Sequence, residues 1–98
     1  MFQCNERHGN GFWITLANGY KVSVQFDRNN YCDNNTATSD GKFQSSKDAE
    51  VAVITPEGRL YRLDGEYEDV KGYVSPNELI EILQQVSKLT FGHNSLTV

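Results

Sequence analysis

Two alternating apolar runs hinged on an Asn-Gly dipeptide constrain this chain more than anything else in it: Gly-Phe-Trp-Ile-Thr-Leu-Ala-Asn-Gly-Tyr-Lys-Val-Ser-Val-Gln-Phe, residues 11–26. Period-two alternation on both sides of a turn signal predicts a β-hairpin. A two-residue Asn18-Gly19 turn would pair Leu16 with Lys21, Ile14 with Ser23 and Phe12 with Gln25, setting each large apolar residue opposite a polar one. A three-residue loop, 17–19 with Gly19 left-handed, instead pairs Leu16 with Tyr20, Ile14 with Val22 and Phe12 with Val24. Because a one-residue slip turns a strand over, the apolar set selects the second register. One face is then Phe12, Ile14, Leu16, Tyr20, Val22, Val24 and Phe26. The other carries Trp13, Thr15, Lys21, Ser23 and Gln25.

The same grammar recurs over residues 49–63. Val51 and Val53 alternate with Ala52 and Ile54 ahead of Pro56-Glu57-Gly58, whose proline and glycine suit a turn that pairs Thr55 with Arg59, Val53 with Tyr61 and Val51 with Leu63. Leu60 meets Ile54 on the opposite face, and apolar residues on both faces suit a central rather than an edge position. Ahead of the first hairpin, Phe2 and Cys4 suggest a weak edge strand. Ser75-Pro76-Asn77-Glu78 then reads as a capping box with proline at the first helical position. Leu79, Ile82, Leu83, Val86 and Leu89 follow at helical spacing, so a helix is expected over 75–91, ended by Gly92. The expected fold is α+β: a four-stranded antiparallel sheet from two hairpins, with one C-terminal helix packed on a face.

At 98 residues and 38% hydrophobic, the chain fits one domain, 1–98, with a single core. A formal charge of -4 disfavours nucleic acid, which needs a cationic surface. No apolar run is long enough to span a bilayer, and Met-Phe-Gln-Cys-Asn-Glu lacks the regions of a signal peptide, so the expectation is a cytoplasmic protein with Cys4 and Cys32 reduced.

Catalytic signatures are missing from the sequence. Cys4, Cys32, His8 and His93 are the residue types of a zinc site but fall in no close pair. The acids Asp64, Glu66, Glu68 and Asp69 lack calcium-loop spacing and read as a solvated turn. The expectation is therefore no enzyme, no metal and no cofactor. Residues 27–48, rich in Asn, Ser, Thr and Asp, form a long excursion that is either a binding surface or a loop pinned by Tyr31 and Phe43. Trp13 either packs beneath that loop or lies at a partner surface. The candidate binding residues are Trp13, Lys21, Arg28, Asn30, Tyr31, Asn34 and Lys42, which combine aromatic area, neutral hydrogen bonding and a few cations. A sheet covered by one helix leaves a face and an edge unaccounted for, which suggests a homodimer.

The run Phe-Trp-Ile-Thr-Leu-Ala-Asn-Gly-Tyr-Lys-Val-Ser-Val-Gln-Phe, then Asn30-Tyr31-Cys32-Asp33-Asn34, then Asp48-Ala49-Glu50-Val51-Ala52, resembles a group of small tailed-phage accessory proteins over most of residues 11–89. The resemblance implies a phage source and expression in the bacterial cytoplasm, and transfers no catalytic residue. Where those proteins often have glycine after the Val-Gln-aromatic strand, this chain has Asp27-Arg28. The function it implies is a non-enzymatic protein that inhibits or sequesters a component of bacterial antiviral immunity. The alternatives are a sponge for a small nucleotide signal, and a structural or regulatory accessory protein.

Overall fold

A computed structural model describes residues 1–5, 10–27, 30, 32, 45–63 and 69–90. The first hairpin joins β2 (Gly11–Thr15) to β3 (Lys21–Gln25), and pairs Phe12 with Val24, Ile14 with Val22 and Thr15 with Lys21. Leu16 N–H donates to the Tyr20 carbonyl at 2.8 Å and Gly19 N–H to the Leu16 carbonyl at 2.9 Å, with Gly19 at φ 89°. This is the three-residue loop, and the apolar set did choose the register.

Asn18 has a second task. Its Nδ2 donates to the carbonyls of Val86 and Leu89, both at 2.9 Å, and its Oδ1 accepts from Tyr20 N–H at 3.1 Å. The turn is thereby tied to the end of the helix, where the last carbonyls have no N–H four residues on to accept from; the Val86 carbonyl takes the Asn18 amide beside the Leu89 N–H at 3.1 Å.

The sheet is α+β in setting and antiparallel throughout, but it has six strands, not four. β1 (Phe2–Cys4) adds to β2 at one edge, and β4 (Ala49–Ile54) lies beside β3. The other edge of β4 is shared end to end by β5 (Leu60–Tyr61) and β6 (Val70–Val74). Thr55–Arg59, Ile54–Leu60 and Val53–Tyr61 pair as the alternation required, with Gly58 at φ 91°. Val51 does not pair with Leu63. The chain leaves the sheet after Tyr61, and Val51 pairs with Lys71 of β6 instead. Leu63 is nevertheless buried in the core. An Arg62–Asp69 ion pair at 3.4 Å closes the neck of the connection between the two short strands.

The helix α1 spans Pro76–Ser87, shorter than the expected 75–91. Ser75 caps its start: its Oγ accepts from Glu78 N–H at 3.2 Å while Glu78 Oε1 accepts from Ser75 N–H at 3.4 Å. It stops early because Lys88 N–H and Leu89 N–H donate three residues back, tightening the last turn. Gly92 lies outside the described residues. The helix buries Ile82 and Val86 against Val22, Val24, Val51, Val53 and Val74, with Leu79, Leu83 and Leu89 packed at the margin. Each fully buried side chain of this kind stabilises the fold by roughly 1.5–3 kcal/mol.

Candidate functional site

The helix-facing side of the sheet is not covered evenly. The apolar stripe of α1 begins at Leu79, a full turn beyond Ser75, and the first turn carries no apolar side chain larger than Pro76. Val24 in β3, Phe26 just beyond it and Val51 in β4 lie under that gap. The result is a cleft of about 240 Å³, walled by Val24, Phe26, Ala49, Val51, Val74 and Leu79. Residues 45–48, leading into β4, form its outer rim, where Ser46 Oγ donates to the Asp48 carbonyl at 2.8 Å.

Its electrostatics are quiet. The helix N-terminus beside it would attract an anion if its N–H groups were free. Here the Ser75 hydroxyl takes one, and the Glu78 carboxylate already sits at this end, held at 3.3 Å by Lys71. Lys47 and Asp48 give the described rim one charge of each sign.

Of the residues singled out from sequence, the structure brings Trp13 and Lys21 together on the opposite face of the sheet. Trp13 is half-buried and pairs with Ser23, and the Lys21 ammonium lies 5.3 Å from the centre of its ring. A cation over an indole in this partly wet setting contributes about 0.5–1 kcal/mol. Asn30 reaches the other end of that face as a brace: its Oδ1 accepts from Asp27 N–H at 2.8 Å and its Nδ2 donates to Glu50 at 3.1 Å. Cys32 is buried beside it, with its N–H donating to the Asn30 carbonyl and its Sγ 3.6 Å from the Asp27 carbonyl. Arg28, Tyr31, Asn34 and Lys42 lie outside the described residues. The working surface expected from sequence is therefore divided: Trp13, Lys21 and Asn30 share one face, while the rim at 45–48 borders the cleft on the other.

The cleft residues were legible only as core. The one sequence signal for a gap is the late start of the helical stripe opposite a hairpin that keeps its apolar face through Phe26. Among the described residues, no group of three His, Cys, Asp or Glu side chains is placed to hold a metal ion. Nor is any described helix long and apolar enough to cross a membrane. Comparison of the chain with family models, curated proteins and solved structures finds no match.

Proposed function

We propose that this chain is a non-enzymatic binding protein of a tailed phage that inhibits or sequesters a component of bacterial antiviral immunity in the host cytoplasm, taking an apolar side chain of a protein partner into the cleft beside the helix N-terminus. The cleft carries the reading. A cavity of about 150 Å³ holds a benzene, so the 240 Å³ here admits one bulky side chain. Sites that enclose a whole small-molecule ligand run to roughly 300–1,000 Å³. A nucleotide would also bring phosphate charge to a wall whose described part offers only Lys47, next to a helix end that already holds a carboxylate. Size and charge together favour a protein anchor over a nucleotide signal. The phage origin and the immune target rest on the resemblance of residues 12–26, 30–34 and 48–52.

A second copy is a further partner in this reading. β1 has no strand on its outer edge among the described residues, and Phe2 is 79% exposed there. Edge pairing with a symmetry mate would cover it. Light scattering is expected to show a dimer at micromolar concentration and a monomer for Phe2→Lys; a monomer for both sets self-association aside.

The test of the main reading fills the cleft from its rim. Ser45 is exposed, so Ser45→Trp adds bulk without removing core. Tagged wild type, Ser45→Trp and Trp13→Ala are used to capture partners from bacterial lysate, followed by mass spectrometry. A protein held by wild type and Trp13→Ala but lost from Ser45→Trp supports the cleft. A partner lost only from Trp13→Ala moves the surface to the far face, and a captured nucleotide overturns the protein-anchor reading.

A further inference from the structure

Asn-Gly is the dipeptide most open to deamidation, because glycine leaves the following backbone nitrogen unhindered. At residues 18–19 the reaction would begin with the Gly19 nitrogen, stripped of its proton, attacking Asn18 Cγ. The Cγ–Nδ2 bond breaks, ammonia leaves, and water opens the resulting five-membered imide to aspartate or isoaspartate. The change consumes one water, releases one ammonia, and is neither an oxidation nor a reduction.

In the folded chain each participating group is held elsewhere. Gly19 N–H donates to the Leu16 carbonyl at 2.9 Å, which keeps the nucleophile protonated and engaged. The amide that must leave is bound by Nδ2 to the Val86 and Leu89 carbonyls, and its oxygen accepts from Tyr20 N–H. Reaction therefore waits until the hairpin turn separates from the helix end. The product also cannot return to that arrangement, since a carboxylate has no proton to donate and would face two carbonyl oxygens at the negative end of a helix. We propose that Asn18 is a modification site controlled by folding, deamidating only in molecules whose turn and helix have come apart, and that the new carboxylate then keeps them apart.

The experiment incubates the chain in mildly alkaline buffer, folded and in denaturant, and follows the mass gained when NH₂ becomes OH, located by fragmentation. Asn10-Gly11 is the same dipeptide and calibrates the denatured rate. Asn18 is expected to react about as fast as Asn10 in denaturant, and at least about tenfold more slowly in the folded protein, as a reaction confined to locally opened molecules must. Equal folded and denatured rates at Asn18 overturn the proposal. Unfolding midpoints of Asn18→Asp and Asn18→Ala test the second half. Alanine removes the donors without adding charge, so aspartate is expected below alanine, including the case where only the alanine variant folds. Aspartate at or above alanine overturns the undocking. If neither variant folds, the melting point of the deamidated wild-type fraction decides: it is expected below that of unreacted protein, and an equal value overturns the undocking.

Discussion

Tyr73 stands at φ 54° where β6 carries one residue more than β4 between the Ala49–Val74 and Val51–Lys71 pairs. A tyrosine in that left-handed region costs of order 1 kcal/mol, and a residue left 57% exposed buries little in return. Tyr73→Gly is expected to hold or raise the denaturation midpoint, by up to about 1 kcal/mol; a clear loss would mean that the ring packs. Gly11 shows the opposite economy of space. A Cβ there would fall 2.6 Å from the Val24 carbonyl oxygen and closer still to the Gln25 side chain, so Gly11→Ala is expected to lower stability by roughly 1–3 kcal/mol in the same assay. Tyr20 adds a pH dependence. Burial first, then the charges of Tyr61 and Glu57, hold its hydroxyl above the ordinary value of 10.0. The unfolded chain gives up that proton sooner, so the stability involved is complete below pH 10.0 and is lost as pH rises through the higher folded value. Tyr20→Phe is expected to flatten that alkaline loss in thermal melts; an identical slope in both proteins would contradict it.

Among the elements, the capping box is the piece most directly tied to its residues. Ser75→Ala removes the acceptor for Glu78 N–H and is expected to cost about 0.5–2 kcal/mol, read as a shift in the denaturation midpoint with unchanged slope. The first hairpin's register, the second hairpin's as far as Tyr61, and the helix onset were legible because each rests on local periodicity and turn chemistry. The diagonal meeting of Lys21 with Trp13 follows from the first register, as Trp13 faces Ser23 two residues along. β6 was not legible, since Gly72 and the left-handed Tyr73 break the alternation that would announce a strand. The tie between the first turn and the helix end was hidden for a different reason: Asn18 is 68 residues away from Val86 in sequence, and no local pattern reports such a bond. The cleft is harder again to foresee, because it is made by a side chain that α1 does not supply over Val24 and Phe26.

Across the whole molecule, the central strand is β4, hydrogen-bonded along one side to β3 and along the other to two short pieces that together do the work of a single strand. The Arg62–Asp69 pair between those pieces is about half exposed on both sides and contributes at most about 1 kcal/mol, less after screening by salt. What fixes the two pieces is their separate pairing with β4, so the length of chain between them is nearly free to vary. Closing a longer loop costs only about 0.6 kcal/mol per doubling of its length. The polypeptide can thus be spliced open between Leu63 and Asp69: a peptide tag written into that interval is expected to leave β5 and β6 in their registers and to lower the denaturation midpoint by no more than about 1 kcal/mol, and a larger loss would mean that the interval itself holds the sheet. A chain built this way is, in effect, a carrier with its port already cut.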